Sequence, residues 1–390
     1  MSGRWLLLSL LVAAAPAPAQ HQHHGGEMRA GGDERNASAT VAASGTLWAV
    51  LKDEGYIAVR YSGDAGKSWS APRRVTPSPE TTDSGGDARP KIAAGPGGEV
   101  YVTWTRPLAK PYTGEIRFAR SIDGGANFSA PMVVHADRQQ ITHRFDSLAV
   151  NAKGQVFVAW IDKRDQERLG GKGVAYRGAA IYWAVSDDRG ARFRGDYKLA
   201  DHSCECCRIA LLPRNDGGFD AFWRHVFEPN VRDHALGFLM PDGKAGALRR
   251  ATFDDWRVDV CPHHGPSLAA DAAGRKHAVW FTGAAANPGV FYGRLADGKV
   301  EGQRRVGGQA AEHADLAAIG DRLAIAWKEF DGERSRLRAQ RSDDAGRTWH
   351  GLELATTAGP SGQPQVLVRA GRFLVFWNTR DEPLSVIPLP

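Results

Sequence analysis

Short apolar runs separated by glycine turns recur along the chain, and one pattern dominates. An apolar strand runs into a Gly turn, and a second strand follows that ends in Trp. The clearest copy is RFDSLAVNAKGQVFVAW (144–160), with others at 88–104, 207–223, 265–280, 314–327 and 363–377. A weaker copy at 36–51 carries Leu51 in the Trp position. Between copies lies a second hairpin. Four of these read Ser-x-Asp-x-Gly-x-x-aromatic: SGDAGKSW (62–69), SIDGGANF (121–128), SDDRGARF (186–193) and SDDAGRTW (342–349). Two more are eroded to PDGK (241–244) and ADGK (297–300). Each unit is therefore four short strands, with alternating or continuous apolar positions and turn residues between them. No helical periodicity is apparent beyond the first twenty residues.

Seven copies of a four-stranded unit, roughly 50–60 residues each, predict an all-β fold: a seven-bladed β-propeller of four-stranded antiparallel blades. One such sheet cannot bury both its faces, whereas stacking around an axis covers all of them. The last copy has only one strand after Trp377, so the segment at 20–35 is expected to supply the missing one and close the ring. The propeller itself is expected to span 36–390.

The octapeptides resemble the Asp-box, or BNR, repeat of the sialidase-like propellers, and the resemblance covers essentially the whole chain after the leader. It implies that Asp64, Asp123, Asp188 and Asp344 are turn builders; calcium binding is the alternative. It also leaves a six-bladed sialidase-type ring as the alternative architecture. Sialidases hold the substrate carboxylate with three arginines, the first in a motif resembling Arg-Ile-Pro-x-Leu. Here Arg144 (RFDSL) and Arg208 (RIALL) match the Arg without the Pro, and Arg89 could be the third. Asp83, Asp87 or Asp146 could act as the acid. The family nucleophile is a Tyr from the last part of the propeller, and no Tyr follows Tyr292. An exo-acting glycoside hydrolase is thus one functional expectation.

The chain has 390 residues, a net charge of +6 and a pI of about 9.2, with basic residues scattered rather than run together. Nucleic acid is not indicated; a mildly basic surface would suit a small anionic ligand as the alternative to a metal ion. The leader carries Arg4, the apolar stretch LLLSLLVAAA and a small-x-small site at Ala17–Pro18–Ala19, which reads as a secretory signal over 1–19. It is too short to span a bilayer. A monomeric bacterial protein of the periplasm or exterior is expected, where disulfides are permitted. Cleavage after Ala19 would expose His21, His23, His24 and Met28.

Cysteine usage is the most singular feature. Cys204, Cys206 and Cys207 crowd DHSCECCR, and the only other cysteine is Cys261, in CPHHGP. Both stretches lead into first strands, which line a propeller's channel. The cysteines should therefore meet at the axial mouth with His143, His263, His264 and His313, while Arg89, Arg144, Asp146 and Arg208 face the same opening. Thiolates and imidazoles suit copper(I) or zinc. Two disulfides, with 204–207 and 206–261 as the best pairing, or plain buried thiols are the other readings. In an extended segment neighbours face opposite ways, so only one of Cys206 and Cys207 is expected to reach a metal. The leading expectation is a metal-binding protein; a scaffold that docks an envelope protein is a further alternative.

Overall fold

The computed structural model describes residues 35–259 and 263–390. It is a seven-bladed β-propeller: six four-stranded antiparallel sheets and, for the last blade, three described strands, each sheet with sequence-consecutive strands side by side. The blades occupy 38–74, 91–133, 143–203, 210–250, 267–306, 311–357 and 365–388. The expected closing strand and the leader fall, apart from Arg35, outside the described residues.

The repeat hairpin forms the inner half of each blade. In blade 3, His143–Val150 pairs with Val156–Asp162, placing Ala159 opposite Ser147. The Trp that ends each second strand is buried between sheets: Trp104, Trp160, Trp223, Trp280 and Trp377 are among the most enclosed side chains. The indole N–H also needs an acceptor. Trp104 finds Glu80 (2.5 Å), Trp160 Asp162 (2.8 Å), Trp280 Asp254 (2.8 Å), Trp327 Glu329 (2.9 Å) and Trp377 the carbonyl of Gly362 (3.1 Å). The indole nitrogen of Trp223, in the blade that follows the cysteines, has no such partner.

Hydrogen bonds stitch every blade to the next near the axis. Arg89 Nε donates to Ser38 Oγ (3.0 Å), Thr103 Oγ1 to Asp146 (2.5 Å) and Ser147 Oγ to the carbonyl of Ile209 (2.7 Å). Arg208 Nε reaches the carbonyl of Pro266 (3.0 Å), Ser267 Oγ reaches Asp315 (2.7 Å), and Asp315 accepts from Val366 N (2.9 Å). Gln365 Oε1 accepts from Ala39 N (2.7 Å), joining the last blade to the first.

The four Ser-x-Asp-x-Gly turns are superimposable in their bonding. Ser62, Ser121, Ser186 and Ser342 each donate to the Asp two residues on, at 2.6–2.8 Å. Each serine oxygen accepts from the glycine N–H at 2.8 Å. Each Asp Oδ1 also accepts a backbone N–H four residues on, at 2.9–3.0 Å. The glycines sit at φ between +76° and +87°, a region that a Cβ disfavours. Antiparallel alternation puts these third-to-fourth-strand turns on the face opposite the loops that lead into the first strands.

One element departs from expectation. Arg164–Gly170 is an α-helix, inside the connection between the second and third strands of blade 3. Seven residues make two turns, too few to show a helical period within a strand-rich window.

Candidate functional site

Residues 204–207 are a turn at residues 205–206, not an extended strand. The turn is anchored where Cys204 N donates to the carbonyl of Arg224 (3.0 Å), and Ser203 bridges to His225. Its geometry corrects the expectation that Cys206 and Cys207 face apart: both sulfurs point to the same place. The three Sγ atoms form a near-equilateral triangle with separations of 3.8 Å (204–206), 3.9 Å (204–207) and 3.9 Å (206–207). All three side chains are buried, in the same core cluster as Ala88, Phe145 and Trp223. No sulfur–sulfur bond joins any two of them at these distances. Cys261 lies outside the described residues.

Two guanidiniums serve the sulfurs. Arg224, 1% exposed, donates from Nη1 to Cys207 Sγ (2.9 Å) and from Nη2 to the carbonyl of Phe281 (2.7 Å). Arg232 Nη1 stands 3.6 Å from Cys204 Sγ. Hydrogen bonds from the Cys206 and Cys207 thiols, with help from Arg224 and Arg232, hold Cys204 well below the usual thiol range. Burial pushes Cys207 up. The trio is therefore electronically uneven, with negative charge favoured at Cys204. Glu205, at the tip of the turn, pairs with Lys163 at 2.5 Å.

The histidines do not form one ring with the cysteines. His264 stacks between Phe281 (centroids 4.2 Å apart) and His313 (4.3 Å). Burial pushes His264 down to about 3. Glu312 joins these two imidazoles, one donor atom from each lying within 4.8 Å of the others. His263 lies near Phe145, and its Nδ1 is buried without a partner. Burial lowers its pKa, with Asp87 and then Cys204 partly opposing. His143 is elsewhere: it stacks on His135 (3.9 Å), bonds the carbonyl of Gly114 through Nδ1 (3.2 Å), and faces Asp137 and Asp162.

The arginines are consumed by the protein. Arg144 pairs with Asp83. Arg208 contacts Asp87 (3.3 Å), the carbonyl of Pro266 (3.0 Å) and the carbonyl of Ala314 (2.8 Å). Arg89 binds Ser38 and Gln363. Asp87 is fully buried and also accepts from Gly265 N (2.7 Å), so one carboxylate ties blade 2 to blades 4 and 5 across the mouth. Burial alone would raise its pKa, but Arg208 and Arg89 hold it low. Asp146, also fully buried, is pushed up by burial, with Lys91 the main compensating charge. Burial brings Lys91 down to about 8. The three guanidiniums thus brace the mouth rather than present a common anion clamp.

Arg224 and Lys328 were not anticipated as site residues, and a signal for both exists. The position after the repeat Trp reads Thr105, Ile161, Arg224, Phe281, Lys328 and Asn378. After Leu51, which stands in the Trp position of the first copy, comes Lys52, so three of the seven are basic, and two of them, Arg224 and Lys328, lie beside the clusters. Gln363, in SGQPQ, is the other omission: its Oε1 accepts from Arg208 (3.2 Å) and Arg89, while its Nε2 meets His313 Nδ1 (2.9 Å).

No protein-family model matches the chain, and no curated protein matches it in sequence. Solved structures do share its fold. A polysaccharide lyase described as a PL25 ulvan lyase aligns over 90% of both chains, at a TM-score of 0.56 and 10% identity. A Hadza microbial sialidase covers 85% of this chain and 73% of its own, at 0.51 and 13%. An α-L-arabinofuranosidase from Fusarium graminearum covers 78% and 92%, also at 0.51 and 13%. These likenesses are of fold. Among the described residues, no helix is long and apolar enough to cross a membrane.

Proposed function

We propose that this chain is an exported, sialidase-like Asp-box propeller that binds a transition metal, copper or zinc, through the thiolates at its axial mouth. The sulfur triangle carries the reading. A point equidistant from corners 3.8–3.9 Å apart lies about 2.2 Å away in the plane, or about 2.4 Å away at the centre of a regular tetrahedron; metal–thiolate bonds are about 2.3 Å. Three thiols held this far apart, without bonding one another, match a metal's needs. The hydrogen bonds from Arg224 and Arg232 support the same reading, since they compensate thiolate charge in a buried place. Cys261 and His263 are the natural further donors, and a location in the periplasm or outside the cell, suggested by the signal-like segment at 1–19, belongs to the same reading.

The test is metal analysis of protein purified from the periplasm without a His tag. About one equivalent of copper or zinc is expected, with loss of the metal in Cys207→Ser and a fold that persists by circular dichroism. Metal-free wild-type protein with two disulfides would defeat the reading.

A second reading, action on a glycan, draws on the company the fold keeps: a lyase, a sialidase and an arabinofuranosidase. The engagement of Arg89, Arg144 and Arg208 with internal partners weighs against a sialidase-type carboxylate clamp. Turnover of a fluorogenic α-sialoside that vanishes in Arg144→Ala would favour it over metal binding.

A further inference from the structure

We propose that His264, Glu312 and His313 form a second cation site, separate from the thiols, that takes an exchangeable borderline divalent metal such as zinc or copper(II). Their donor atoms come within 4.8 Å of one another. Two imidazoles and one carboxylate are a recognised donor set for such ions. His264 is 8% exposed, and its buried Nδ1 has no hydrogen-bond partner, which leaves one polar atom of the trio's side chains uncompensated.

The site is physically divided from the sulfurs. Arg224 stands between them, with one guanidinium nitrogen on Cys207 and the other on the carbonyl of Phe281. The ring of Phe281 in turn stacks on His264. The donor sets differ in kind as well: sulfur on one side, nitrogen and carboxylate oxygen on the other. Neither site needs the other to exist.

The surroundings make binding weak rather than permanent. Lys328 Nζ lies 3.3 Å from Glu312 Oε1 and would have to yield that oxygen. Gln363 adds a second handicap. Its Oε1 serves Arg89 and Arg208, so its Nε2 must face His313 Nδ1. That fixes the His313 proton on Nε2, the nitrogen 3.8 Å from Glu312 Oε2. Metal-bound histidines ordinarily donate from their other nitrogen to an acceptor; here the neighbour is a donor. A carboxylate at 363 would keep both arginine bonds and accept from Nδ1–H, leaving Nε2 bare for the metal.

The test is titration of the metal-stripped, tag-free mature chain with cobalt(II), followed by absorption spectroscopy. Wild type should show thiolate-to-cobalt charge transfer from the sulfur site and a separate, weaker phase of ligand-field bands without sulfur transitions. Glu312→Gln and His313→Gln should each weaken the second phase at least about ten-fold and leave the first unchanged. Gln363→Glu should strengthen it, a gain that misfolding cannot produce. A single phase carrying sulfur transitions, or a sulfur-free phase indifferent to all three substitutions (as binding by the His21–His24 segment would be), overturns the proposal. A lone sulfur-free phase that responds to all three substitutions would keep it and contradict the thiolate reading alone.

Discussion

The turns at the two ends of the blades use polar residues in opposite ways. On one face, each Ser-x-Asp-x-Gly turn closes on itself: Asp64 accepts from Ser62, from the backbone of Ser68 and from the Ser68 hydroxyl. At the mouth, three thiols face one another, His263 and His264 each bury an unpartnered nitrogen, and Trp223 lacks the indole acceptor its counterparts have. Repeated turns whose donors and acceptors are satisfied internally serve the architecture. Buried polar atoms left without partners need another reason to persist, and the proposed metal would supply one.

The contrast can be broken from either side. The largest effect is expected at a turn glycine. A Cβ at Gly125 would sit 2.2 Å from Trp48, at a φ of +78°. Gly125→Ala should cost about 3 kcal/mol, from overpacking and left-handed strain, read as a shift in the denaturation midpoint with metal content per folded protein unchanged. Arg224→Met should do the reverse. It removes the N–H bonded to Cys207, so metal affinity should fall about ten- to hundred-fold, measured by competition with a chromophoric chelator. A metal that stays equally tight would remove Arg224 from the site.

The two faces should also separate by pH. Burial lowers His225 and His264 to about 3. Their unfolded forms take up protons near pH 6.5, so native stability should fall as pH drops from 6.5 towards 3, by about 2 kcal/mol per imidazole at pH 5. The turn aspartates run the other way in range: hydrogen bonds hold Asp64, Asp123 and Asp344 below the usual carboxylate value of 3.8. Their contribution is present above 3.8 and lost only below it. Between pH 6.5 and 4, then, His225→Phe and His264→Phe should flatten the stability profile, and Asp-turn variants should not. The smallest effect is Asp344→Asn, expected to lower the denaturation midpoint only slightly through weakened turn bonds and to leave metal binding untouched.

Much of the fold is legible because it is repeated. The Trp of the hairpin and the Gly of the octapeptide each answer a local demand, a buried wedge or a positive φ, and recur wherever that demand recurs. The first blade is visible at 36–51 even though Leu51 replaces Trp, because the strand–turn–strand pattern survives the exchange. The helix Arg164–Gly170 is invisible because it happens once and is short. The site is half legible. Cys204, Cys206 and Cys207 were drawn to the mouth by their place before a first strand, yet their convergence depends on a turn at 205–206 that residue types alone do not specify. His143 has the right position in the repeat, but its neighbours Gly114, Asp137 and Asp162 belong to contacts that no alignment of the repeats contains. Arg224 is legible only in retrospect, as a charge at the end of an apolar strand.

X-ray absorption at the metal edge of tag-free protein, as purified, bears most directly on the sulfur triangle. A stoichiometric copper or zinc with a shell of about three or more sulfurs at roughly 2.2–2.4 Å is the predicted result. A shell of nitrogen and oxygen only, or no metal alongside two disulfides, would contradict it.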